Sequence, residues 1–154
     1  MKRRGKNTPP LPVYARVDLT TGGVERFPIS EKYFKKYVGG KCLAARLRLD
    51  LTPPGLDPLS PEAVIIINTG PLNGTGAPSS SRFNLSFKNV LTGGIASSNC
   101  GGQFGVMLKR AGFDGLIITG RAAEPSLLEI LDGEIALKPA PELWGLDAEK
   151  TQEA

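Results

Sequence analysis

The sequence predicts an α+β domain of mixed β-sheets with a few short helices. Three observations predict it. Short apolar segments recur along the chain, several alternating at a two-residue period, and Gly-, Pro-, Asn- or Ser-rich stretches separate them. Helical spacing appears only in a few brief stretches. Glycine (19) and proline (13) are both abundant among 154 residues, so much of the chain is turn and loop. The apolar share of 40% and the charged share of 22% belong to a globular chain long enough to bury a core.

Val13 to Asp18, VYARVD, alternates as a half-buried strand does. After a turn at Leu19 to Gly23, Val24 to Ile29 returns as the second arm of a hairpin. Ser30 is placed to cap a helix starting at Glu31, with Tyr33, Phe34, Tyr37 and Val38 on one face. Gly39-Gly40 interrupts that face. Leu43, Leu47 and Leu51 resume it, with Arg46 and Arg48 off the stripe, as a second short helix or as one helix bent at the glycines. Pro53-Pro54-Gly55 stops it. Val64 to Ile67 reads as a strand buried on both faces.

Gly70 to Ser81 is a glycine- and serine-rich loop. Arg82 to Lys88 then alternates strictly, with Phe83, Leu85 and Phe87 one way and Arg82, Asn84, Ser86 and Lys88 the other. The polar side carries cations and amides and no acid. Ser97 to Gly105, SSNCGGQFG, is expected to be a bend. Phe104 to Ala111 reads as an amphipathic helix with Phe104, Met107, Leu108 and Ala111 on one side and Gly112 as its stop. Gly115 to Gly120 is a further buried strand. Ser126 to Leu131 and Glu134 to Leu137 pair about Asp132-Gly133. A last helix begins near Asp147.

The net charge is +4, much of it from Lys2, Arg3, Arg4 and Lys6. Residues 1–12 are therefore read as a flexible basic tail ahead of a domain at 13–154. The tail lacks the apolar run of a leader or anchor, and no run approaches the ~20 residues that span a bilayer, so neither membrane association nor export is expected. A nucleic-acid partner is not expected either, because no wide basic face or set of stacking aromatics accompanies the charge. The cytoplasm is the expected location. Cys42 and Cys100 lack CxxC spacing and cannot by themselves ligate an iron–sulfur cluster or a structural zinc. A disulfide between them stays open, but two buried thiols in a reducing compartment is the simpler account. The chain has no histidine, which excludes a Ser–His–Asp or Cys–His nucleophile and the usual zinc sites within it.

Two glycine-rich stretches flank the Arg82 strand. Glycine permits close backbone approach, and successive exposed N–H groups bind anions. Arg82 at their mouth is either a fork for a phosphate or a solvated strand-face charge. Asn99 offers a carbonyl oxygen suited to Mg²⁺, or is a turn residue bonded to its own backbone. Neither GxxxxGK[ST] nor a GxGxxG between strand and helix is present, so these loops do not announce an ATP or dinucleotide site.

The succession RVDLTTG, YVGGKCLAARL, PPGLDPLSPEAVIIINTGPLNGTGAPSSSRFNLSFKNVLTGGIASSNCGGQFGVMLKRAGFDGLIITGRAAEP and LDGEIALKPAPELWG resembles the N-terminal domain of the tungsten-dependent aldehyde ferredoxin oxidoreductase family. The likeness runs from about Val13 to the end of the chain. It implies β-sheets forming a base for tungsten (or molybdenum) held by two pterin dithiolenes. It further implies that Arg82 contacts a pterin phosphate and that the Asn99 main-chain carbonyl binds a Mg²⁺ bridging the phosphates. Gly101 would let the loop lie against the pterin. No catalytic side chain is implied in this segment. The complete enzyme would oxidise an aldehyde to a carboxylic acid and pass electrons through a [4Fe–4S] cluster to ferredoxin, with the cluster cysteines in a missing C-terminal part. The partners implied are therefore ferredoxin, the aldehyde and the remaining domains or a second subunit, and a homo-oligomer stays open. A non-catalytic stand-alone cofactor-binding subunit, or an inactive fragment, is the alternative. The chain departs from the family at Lys88-Asn89-Val90, where the family has Lys-Ser-Pro, and at Cys42, expected to pack rather than to ligate.

Overall fold

A computed structural model describes residues 10–154. Most of the expected basic tail, residues 1–9, lies outside the described residues, while Leu11 and Pro12 are already half-buried. The architecture is α+β. Strands β1 (Val13–Asp18), β2 (Gly23–Pro28), β3 (Ile65–Thr69), β4 (Phe83–Lys88), β5 (Ile95–Cys100) and β6 (Gly115–Thr119) form one sheet in the order β2-β1-β6-β3-β4-β5. All neighbours run antiparallel except β1 and β6, which are parallel and pair Tyr14 with Gly115. Strands β7 (Ser126–Leu131) and β8 (Glu134–Pro139) form a separate hairpin.

Helices α1 (Glu31–Tyr37) and α2 (Gly40–Leu51) cover one face of the sheet. Ser30 caps α1 by accepting from the Tyr33 N–H at 3.2 Å, as its position in the sequence suggested. The glycines separate two helices. Val38 and Gly40 take positive φ, and a Cβ on Gly39 would stand 3.2 Å from the Thr69 carbonyl, so the chain turns with Gly39 held close to the end of β3. On this face Tyr14, Leu43, Leu47, Val64, Ile66 and Ile117 make the larger core. Burying six such side chains supplies roughly 1.5–3 kcal/mol each. Arg48 departs from its expected place off the stripe. It is buried and donates to the Val64 carbonyl at 3.1 Å, tying α2 to the approach of β3.

On the opposite face Ala15, Leu108, Phe113 and Leu116 form a second core with Ile130 and Ile135 of the hairpin. The short helix α3 (Phe104–Arg110) packs there through Gly105 and Leu108. Phe104 and Met107, expected to face inward with Leu108, are exposed, because the helix is too brief to bury a whole stripe. The hairpin turns at Asp132 and Gly133, both at positive φ. A 3₁₀ turn (Pro141–Leu143) and α4 (Ala148–Glu153), capped by Asp147, end the described chain. Among the described residues no helix is long and apolar enough to cross a membrane.

Two further expectations are corrected. Ile65 is exposed and Ile67 half-buried, so β3 is not buried on both faces. Cys42 and Cys100 are free and exposed rather than buried or bridged, because Cys42 lies on the outer side of α2 and Cys100 ends the edge strand β5.

Candidate functional site

Strand β4 inverts its own pattern. Its apolar side chains Phe83, Leu85 and Phe87 are only half-buried, whereas Asn84 and Ser86 are 2% and 1% exposed. Direct partners in a sheet point to the same side, so Asn68, Asn84 and Asn99 form a row on the α2 face. Buried amides on that row need partners. Asn68 Nδ2 donates to the Tyr14 hydroxyl at 3.0 Å and to the Gly40 carbonyl at 2.9 Å. Asn84 Nδ2 donates to Ser97 Oγ at 2.7 Å, Asn99 Oδ1 at 3.0 Å and the Ser98 carbonyl at 3.1 Å, while Asn84 Oδ1 accepts from Ser86 Oγ at 2.6 Å.

The SSNCGGQFG stretch is therefore not a simple bend. Its first four residues are the end of β5, and the bend begins at Gly101. Asn99 Oδ1 already accepts from Asn84 Nδ2 at 3.0 Å, so the side-chain carbonyl is tied back to β4, while the Asn99 main chain lies in the edge strand β5.

Arg82 immediately precedes β4. The β4–β5 register ends at Phe83 opposite Cys100, so one further step sets Arg82 opposite Gly101. Asn99 lies two residues back along β5, about 7 Å at strand rise. The fold thus gathers Arg82, Asn99 and Gly101 at one corner of the sheet. Arg82 is exposed, and among the described residues it makes no ion pair. A Cβ built on Gly101 or Gly102 meets nothing within 4 Å, and Gly102 takes φ 90°. The loop thus presents a main chain without side chains to open space. The rings of Phe83, at the start of β4, and Phe104, at the start of α3, meet at a tilt of 53° with centroids 4.7 Å apart. Among the described residues no group of three or more His, Cys, Asp or Glu side chains could hold a metal ion.

Two residues of this corner escaped the sequence reading. The alternation sets Asn84 on the polar side of its strand without a role, and Asn73 lies unremarked in the loop Gly70 to Ser81. Asn73 is 1% exposed, and its Nδ2 donates to the Arg82 carbonyl at 2.9 Å. Neither contact is stated by the local pattern: Asn84 meets its partners only when β5 folds back onto β4, and Asn73 meets Arg82 only when the loop between them closes.

Arg82, which makes no ion pair among the described residues, the edge strand β5 at Asn99 and the bare glycine bend thus meet at one sheet corner, an arrangement chemically suited to an anion. The chain matches the family model for the aldehyde ferredoxin oxidoreductase N-terminal domain over residues 14–154, and it belongs to that family. It is 40% identical over 139 residues to a tungsten-containing aldehyde ferredoxin oxidoreductase of Pyrococcus furiosus, covering 90% of this chain and 23% of that protein. A counterpart from Thermococcus kodakarensis is 39% identical over 92% of this chain and 23% of its own length. A Pyrococcus furiosus aliphatic sulfonate oxidoreductase, WOR-like subunit, is 33% identical over 84% of this chain and 21% of its own length. Among solved structures, a chain of the active site complex BamBC of benzoyl coenzyme A reductase, bound to 1,5-dienoyl-CoA, superposes with a TM-score of 0.88 and 33% identity. That match covers 92% of this chain and 22% of the other. The chain thus spans 23% of the length of the tungsten-containing relatives.

Proposed function

We propose that this chain is the pterin-holding N-terminal part of a tungsten (or molybdenum) oxidoreductase that oxidises aldehydes to carboxylic acids. The observation that carries the reading is the corner at Arg82, Asn99 and Gly101. Its residues fit a phosphate-bearing cofactor: an exposed guanidinium without an acid partner, a main-chain carbonyl whose side chain is already tied back, and glycines facing open space. Arg82 neutralises a pterin phosphate by a forked hydrogen bond. The Asn99 carbonyl is a hard oxygen suited to Mg²⁺. Gly101 and Gly102 let the main chain lie against the ligand where a Cβ would intrude. The bound metal and dithiolenes supply the oxygen-atom and two-electron chemistry, while this chain binds, orients and shields them. The [4Fe–4S] cluster and the ferredoxin contact belong to parts of the enzyme beyond this segment, and the location is cytoplasmic.

The BamBC likeness favours a second reading of the substrate, an acyl-CoA of the kind bound in that complex. Two measurements test the proposal. Aldehyde-dependent and acyl-CoA-dependent dye reactions of the enzyme containing this chain separate the substrates, and activity with neither favours a non-catalytic module. Arg82→Ala, which removes the cation, and Gly101→Val, which sets a side chain where the ligand would lie, are expected to lower tungsten and pterin content; unchanged content in both removes the assigned site.

A further inference from the structure

We propose that Asn73 is the positioning residue for Arg82, fixing the arginine's main chain so that its guanidinium meets the phosphate. The inference rests on the reading of Arg82 as the phosphate contact. Asn73 sits in the loop between β3 and β4, where its neighbours Leu72 and Gly74 are exposed, yet it is itself 1% exposed. Its N–H closes a turn on the Gly70 carbonyl at 3.1 Å, and its Nδ2 reaches the Arg82 carbonyl at 2.9 Å. Arg82 lies one residue outside β4, beyond the last ladder pair, so its carbonyl is held by this amide instead of by a strand.

Gly105 makes room for that bond. A Cβ there would stand 2.6 Å from Asn73 Nδ2 and 3.0 Å from the Ser81 carbonyl. Helix α3, the loop and the start of β4 therefore meet at one amide. Arginine carries a long rotatable stem, and fixing its Cα narrows the arc its guanidinium sweeps. The other end of the amide argues against a purely stabilising role. Among the described residues Asn73 Oδ1 is buried with no hydrogen-bond partner, a cost to the fold that an apolar side chain of the same size would avoid.

The test follows cofactor release from the loaded enzyme containing this chain, by tungsten analysis and pterin fluorescence after dilution. Asn73→Leu keeps the shape and removes the donor. It is expected to speed release about tenfold, because a freer Arg82 main chain widens the arc of the guanidinium and loosens its hold on the phosphate. The melting temperature of the cofactor-free protein should fall by only a few degrees, because the Arg82 carbonyl loses its donor but the unpaired Oδ1 leaves as well. In an Arg82→Ala background the same change should add less than about twofold, since its effect passes through the arginine. Asn73→Asp, unchanged in size, should release quickly at about pH 8 and recover relative to the native protein as the pH falls towards about 5. A buried carboxyl takes up its proton early and so regains a donor; Asn73→Leu should show no such recovery. If Asn73→Leu does not fold, Asn73→Asp alone carries the test. Unchanged release with Asn73→Leu beside fast release with Arg82→Ala overturns the proposal alone. So does full additivity of the two changes, or a flat pH profile for Asn73→Asp. A silent Arg82→Ala overturns the reading of the site itself, and this proposal with it.

Discussion

Truncating Asn84 to alanine isolates the polar row beneath α2. The two N–H groups of its amide are shared among three acceptors, the amide oxygen accepts once, and the residue is buried. Asn99 and the Ser98 carbonyl lie in exposed residues and regain water when it is removed. The Ser86 hydroxyl, 1% exposed, does not. A stranded buried hydroxyl costs about 1–3 kcal/mol, and the space left by the amide adds about 1 kcal/mol. The expected loss is about 2–4 kcal/mol, which for a chain of this size lowers the melting temperature by roughly 5–15 °C. Thermal unfolding by circular dichroism reads it directly. A fall of less than about 2 °C would refute the reasoning, because the buried amide would then add nothing to the backbone ladder between β4 and β5.

Gly115→Ala should prevent or severely weaken folding, since its Cβ would stand 2.4 Å from the Tyr14 ring, and that ring is 1% exposed and anchored by Asn68; near-normal stability in urea would contradict it. Burial pushes the Tyr14 hydroxyl well above the ordinary tyrosine value, with the Asn68 hydrogen bond opposing in part. The unfolded chain then releases this proton first, so stability should decline as the pH rises above about 10, and Tyr14→Phe should remove that part of the slope. Cys42 and Cys100 should both react with a thiol reagent in the native protein at rates near those of the unfolded chain, and protection of either would place it inside.

Local signals were legible wherever one stretch determines its own structure. Ser30 caps α1, Asp132-Gly133 turns the last hairpin, and VYARVD is a strand with the expected ends. The motif succession also pointed to the family and to Arg82, Asn99 and Gly101. Long-range facts were not legible. β1 pairs with β6 across about a hundred residues, and nothing near Val13 states it. The alternation in β4 says which side chains share a face but not which face α2 covers, so the amide side, and not the phenylalanine side, proved the more buried. Asn99 resembled a bend residue because its serine and glycine neighbours have turn composition, yet pairing with Asn84 draws it into an edge strand. Arg48 and Asn73 were misjudged for a related reason: a polar residue is buried when a distant carbonyl accepts from it, and the acceptor is invisible locally.

The most direct measurement is a crystal structure of the loaded enzyme with tungsten located by anomalous scattering. The expected result has a pterin phosphate on the Arg82 guanidinium, a Mg²⁺ on the Asn99 carbonyl and the ligand against Gly101. A cofactor seated elsewhere, with Arg82 pointing into solvent and the glycine bend bare, would contradict it.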